Sequence, residues 1–128
     1  MKTWRFHREV AEEIERTARW YERERRGLGV DFALMVDAVI EKLQEMPTLG
    51  SPMPDVPREL HVRRVLLPRF PHAVVYVERE DEYVIVAITH LRREPGYWLT
   101  RIDELRTRWP PTCISLLAAQ AAENHANP

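Results

Sequence analysis

Residues 31–46 constrain the fold more than any other stretch. Phe32, Met35, Val36, Val39, Ile40, Leu43 and Met46 recur at three- and four-residue steps and make one continuous apolar face. The spacing predicts a helix capped at Asp31 and stopped by Pro47. A methionine and aromatic stripe at this spacing packs a core rather than holding a cofactor. Residues 8–26 supply its partner. Val10, Ile14, Thr17, Ala18 and Tyr21 repeat at the same steps, with Ala11 beside them and Glu12, Glu13, Arg16, Arg19 and Arg23 on the other face. The pairs Glu12–Arg16 and Glu15–Arg19 put an acid four residues before a base, which supports a helix modestly. Gly27-Leu28-Gly29 separates the two stretches, so they form an antiparallel helical hairpin with one shared apolar side. Trp20 lies off the main stripe and is assigned to the rim of the core.

Beyond Pro47 the period changes. Residues 47–58 hold four prolines and a glycine and read as a loop tied down over the fold. Strands are predicted at about 61–67, 73–79 and 83–89, with Thr3–Phe6 as a short first strand. Pro68 and Pro71 mark the turn between the first two of the three. Arg79 to Glu82 is the polar tip of a hairpin. Tyr83 to Ile88 is nearly continuously apolar, which suits burial on both faces or a central place in the sheet. Pro95 opens a last helix to about Arg108, with Leu99, Ile102 and Leu105 turned inward and Trp109-Pro110-Pro111 as its stop. The fold class is α+β: an N-terminal helical hairpin on a mostly antiparallel sheet of three or four strands, with a C-terminal helix. From Thr112 the apolar cluster Ile114, Leu116, Leu117, Ala118, Ala119, Ala121 and Ala122 fits either a docked final helix or a frayed end.

Composition narrows the function classes. A chain of 128 residues fits one domain, here 1–109, with 110–128 as a tail. The formal net charge of -1 gives no global field toward nucleic acid or membranes, so charged partners are read from local patches. Basic charge is nearly all arginine, a bias that a GC-rich genome also produces. Cys113 is the only cysteine, which excludes an intramolecular disulfide and a cysteine-based zinc site. His7, His61, His72 and His125 show no metal-ligand spacing, so neither metal nor cofactor is expected. The N-terminus lacks the apolar run of a signal peptide, and no stretch approaches the roughly 20 apolar residues that span a bilayer. A cytoplasmic protein without a membrane partner is expected.

The cations gather around the strands. Arg63, Arg64 and Arg69 sit on or beside them with few local acids, a set that suits phosphate or carboxylate partners. Ordinary solvated charge is the other reading. His90 has the residue type that titrates near neutral pH, and Tyr97 can stack on a base or donate a proton.

Several marks stand in a telling order. They are Trp20-Tyr21, Gly29 before Phe32, and Leu43 to Pro47. Arg63-Arg64, Arg69-Phe70-Pro71 and Val75-Tyr76 follow, then His90 with Arg92-Arg93, Pro95, Tyr97-Trp98 and Arg101. Over about residues 3–106 this order resembles the RelE/ParE superfamily of toxins from type II toxin–antitoxin systems. The resemblance implies a plasmid-stabilising or growth-arresting toxin in a hetero-oligomer with its cognate antitoxin. The antitoxin's extended segment would cover a hydrophobic groove and the basic face. Two activities are known in the superfamily: inhibition of DNA gyrase, and metal-independent cleavage of mRNA in the ribosomal A site.

As a ribosome-dependent nuclease the chain would use His90 and Tyr97 as proton-handling groups and Arg64, Arg69 and Arg93 as phosphate holders. Two departures weigh against that. Ala73 stands where the nuclease branch carries an arginine, and Tyr97-Trp98 open a helix followed by about thirty residues instead of closing the chain. As a ParE-like gyrase inhibitor, not an enzyme, it needs only a surface. Arg63, Arg64, Arg69, Arg92, Arg93 and Trp98 are then the target or antitoxin contacts. The gyrase reading is preferred, and a non-toxic, toxin-like binder stands third.

Overall fold

In the computed structural model, which describes residues 2–93 and 96–107, the two amphipathic stretches are helices α1 (Val10–Glu24) and α2 (Leu28–Glu45). Gly27 turns the chain between them with a left-handed backbone, φ 86°. The Glu22 carboxylate reaches across the turn and accepts from the Gly27 amide at 2.9 Å and the Gly29 amide at 3.0 Å. These donors, chiefly the Gly27 amide, hold Glu22 below the usual carboxylate range. Asp31 is therefore not the cap. It lies in the first turn of α2, where its charge suits the positive end of the helix. The helices cross closely at Gly29, where a Cβ would lie 2.3 Å from the Ala18 carbonyl oxygen.

The sheet has five strands in the order β1-β5-β4-β3-β2. These are β1 (Thr3–Phe6), β2 (Ser51–Pro52), β3 (Val62–Leu66), β4 (His72–Glu78) and β5 (Glu82–His90). All neighbours are antiparallel except β1, which runs parallel to β5. The mostly antiparallel sheet is as expected, with one strand more. Ser51–Pro52 hides among the prolines because Pro52 sits at an edge, where a missing amide costs nothing. β5 lies inside the sheet, as its apolar run requires.

The core joins Val10, Phe32, Val36, Val39, Ile40 and Leu43 of the hairpin to Val74, Tyr76, Ile85 and Ile88 of the sheet, with Leu67 and Phe70. Met46 falls outside it and is exposed, because α2 ends at Glu45. Glu13, expected on the solvent face, is buried and accepts the Ile88 amide at 3.0 Å. β1 stops at Phe6, before Ile88, and the carboxylate takes that donor. Tyr76 ties down the proline loop: its hydroxyl donates to the Pro47 carbonyl at 2.6 Å and accepts from the Gly50 amide at 3.0 Å.

One irregularity sets the far end of the sheet. Tyr76 lies opposite Ile85 but Val75 lies opposite Ala87, so Val86 is the extra residue of a register shift and β5 bulges there. His72 then faces His90.

Those elements form one compact unit, Met1–Arg93, and Glu94–Pro128 form another. The second contains the expected helix α3 (Gly96–Thr107), in which Ile102 is buried, Leu99 half-buried and Arg101 stacks over the Tyr97 ring at 5.1 Å. Pro95, the Leu105 side chain, the Trp109-Pro110-Pro111 stop, Cys113 and the 110–128 tail lie outside the described residues. Among the described residues no helix is long and apolar enough to cross a membrane.

Candidate functional site

Two recesses flank the hairpin. The first lies where α1 meets the end of the sheet. It encloses about 590 Å³ and is lined by Arg16, Trp20, Tyr21, Pro71, His72 and His90. Tyr21 is its floor. Its ring meets Phe32, Phe70 and His72 at 5.4, 5.1 and 5.8 Å, and its hydroxyl lies 3.5 Å from His72 Nδ1. Trp20 packs edge-on against Tyr21 and keeps 50% of its surface exposed.

The two imidazoles stand 5.1 Å apart. Burial, and then the neighbouring His90, pull His72 down to about 4, so it is neutral at physiological pH. The His90 Nδ1 accepts the Arg92 amide at 3.0 Å, which leaves the hydrogen of a neutral His90 ring on Nε2. Burial also raises Tyr21.

The second recess runs between α2 and the β3 edge. It encloses about 830 Å³, with Met35, Val39, Leu49, Val65 and Leu66 among its walls and Glu41, Lys42, Glu45 and Arg64 among its charges. β2 pairs only with Arg63 and Arg64, so the outer edge of β3 is open from Val65 onward.

The predicted site residues divide between these places. Neighbours on a strand leave opposite faces, so Arg63 and Arg64 do not act as a pair. The Arg63 guanidinium donates to the Gly50 carbonyl at 2.8 Å, whereas Arg64 lines the α2 groove. Arg69 sits in the β3–β4 turn with a left-handed backbone, φ 71°, a conformation that costs a non-glycine residue about 1 kcal/mol. The Leu91 amide donates to the Pro71 carbonyl at 2.9 Å, which brings exposed Arg92 and Arg93 to the same end of the sheet as Arg69. His90 stands there too. Tyr97 and Trp98 belong to α3, and Trp98 is fully buried. Sequence reasoning passed over Arg16, Trp20, Tyr21 and His72 as site residues. The β4–β5 hairpin was legible, but the bulge that sets His72 opposite His90 was not.

A family model described as the ParE toxin of the type II toxin–antitoxin system parDE matches residues 4–95. Among solved structures, one of the chromosomal ParDE toxin–antitoxin system from P. aeruginosa matches with a TM-score of 0.60 at 20% identity, over 70% of this chain and 96% of that one. At that identity the likeness speaks for the fold. No curated protein sequence matches this chain. The family match runs from β1 through the hairpin and the whole meander, well over half the chain, and takes in every residue of both recesses. By that span the chain belongs to the ParE toxin family of type II toxin–antitoxin systems.

Proposed function

We propose that this protein arrests bacterial growth by binding DNA gyrase in the cytoplasm and is neutralised by a cognate antitoxin seated in the groove between α2 and β3. The observation that carries the antitoxin half is the open β3 edge beside an apolar trough. Leu66 there is 54% exposed and Leu49 41%. An extended segment gains backbone hydrogen bonds along such an edge and buries apolar side chains in the adjoining trough. Family membership supports the toxin role. No step of bond chemistry is asked of the protein on this reading.

An mRNA-cleaving activity would need Arg64, Arg69, His90, Arg93 and Tyr97 around one phosphate. Arg64 lines the α2 groove while His90 lines the other recess, which favours the binding reading. Inducible expression without antitoxin tests the proposal. Growth arrest with DNA-damage signs, and inhibition of supercoiling by purified gyrase, are expected. Immediate translation arrest with cleaved ribosome-bound mRNA would overturn it in favour of the nuclease, and unimpaired growth in favour of a non-toxic binder.

A further inference from the structure

We propose that the recess of Trp20, Tyr21, His72 and His90 is the toxin's contact with its target protein, and that it takes an acidic segment carrying an aromatic or long aliphatic side chain. This rests on the reading of the chain as a binding toxin. It adds a surface separate from the α2 groove, with which the recess shares no lining residue.

Three observations define the occupant. The walls are largely apolar and packed on one another: Trp20 leans edge-on against Tyr21 at 5.1 Å, and Tyr21 meets Phe32 and Phe70 of the core. An anchor that is already in place loses little conformational freedom when a partner arrives. A half-exposed tryptophan over a pocket of about 590 Å³ is the kind of feature on which binding energy concentrates.

The available polar atoms are mainly donors. The His90 Nε2–H of the neutral ring, the Trp20 indole N–H and the Arg16 guanidinium belong to lining residues, the Thr17 hydroxyl can donate or accept, and no carboxylate among the described residues lines the recess. Glu12 stands only behind Arg16, at 3.8 Å in a solvent-exposed pair. Arg69 and Arg92 are exposed at the same end of the sheet and make no ion pair among the described residues. Carboxylates complement this set. A nucleobase matches it less well, since its own N–H groups need acceptors and the Tyr21 hydroxyl is already beside His72 Nδ1.

The test uses the full chain, expressed with its antitoxin and then induced alone, with Trp20→Ala, Arg92→Glu and the conservative Trp20→Phe. Wild type should arrest growth and bind purified gyrase. Trp20→Ala and Arg92→Glu should bind gyrase roughly 30-fold more weakly and lose the arrest. Trp20→Phe should keep most of both, and all three should still co-purify with antitoxin. Arg92 is an exposed position just beyond β5, so its variant carries the test if Trp20→Ala folds poorly.

Unchanged arrest and gyrase binding in both variants would overturn the inference and leave the gyrase reading standing. Loss of antitoxin binding along with arrest would overturn it as well, because the recess would then serve the antitoxin. If wild type neither arrests growth nor binds gyrase, the reading and the inference fall together. Cleavage of ribosome-bound mRNA by wild type but not by Trp20→Ala would give the recess to nucleic acid and overturn the protein occupant.

Discussion

The two recesses are built from the same hairpin and the same sheet, yet they differ in kind. The α2 groove is aliphatic, carries both signs of charge and runs beside an open strand edge. The α1 recess is aromatic, carries arginine and imidazole and no acid among the described residues, and sits where turns close the end of the sheet. The difference follows from where each helix meets the strands. An edge offers a row of backbone donors and acceptors, so it suits an occupant with length. An end gathers side chains from several strands around one spot, so it suits a single anchoring group.

Four measurements put that contrast to the test. The largest effect should come from Gly29→Ala, which acts on both recesses at once because α1 walls one and α2 the other. Alanine is ordinarily the better helix former by about 1 kcal/mol. Here its Cβ would lie 2.3 Å from a backbone oxygen of the facing helix. A net loss of about 3 kcal/mol in denaturant unfolding is expected. An unchanged or higher midpoint would mean that the crossing yields and the recesses are not mechanically tied.

Next comes Leu66→Asp on the groove side. Antitoxin affinity should fall about 30-fold while growth arrest persists, so the antitoxin should no longer protect the cell. Equal loss of both would erase the distinction between the recesses.

A smaller effect should appear with acid, and only through the aromatic recess. His72 titrates near about 4 in the folded chain and near 6.5 when unfolded. Between those values the unfolded chain binds more protons, so stability falls as pH drops from about 6.5 toward 4. Above that window the term is constant. By about pH 5 the loss should be on the order of 2 kcal/mol, and His72→Gln should flatten that part of the profile. A profile identical in the two proteins would show that the imidazole is not held neutral by burial. The smallest change belongs to Tyr21→Phe. The hydroxyl contact to His72 is long, 3.5 Å, so unfolding curves should agree within about 0.5 kcal/mol. A larger drop would make the hydroxyl a support of the imidazole pair.

Periodicity carried most of the fold. The α2 stripe, the stop at Pro47, the tip at Arg79–Glu82 and the inner place of β5 all follow from spacing and side-chain type. What spacing could not carry was pairing between distant segments. Nothing local says that β1 runs parallel to β5, or that Glu13 is drawn inside by the Ile88 amide. Glu22 looks like an ordinary solvent-face acid until the turn folds back on it. The strand period did hold one unused clue: adjacent Arg63 and Arg64 must part to opposite faces, so a joint role was never available to them. The aromatic recess was least legible, since its members come from α1, a turn and two strands.

The one-residue slip at Val86 decides more than a local bend. Counted from the hairpin tip without it, the ladder would set Thr89 across from His72 and turn His90 to the far side of the sheet. The last steps of β5 are thus half a pleat out of phase with its first ones. Chemistry at that end is written in strand arithmetic as much as in residue identity. Two relatives with identical letters from Ile88 to Arg93 would present different groups there if only one of them kept the slip.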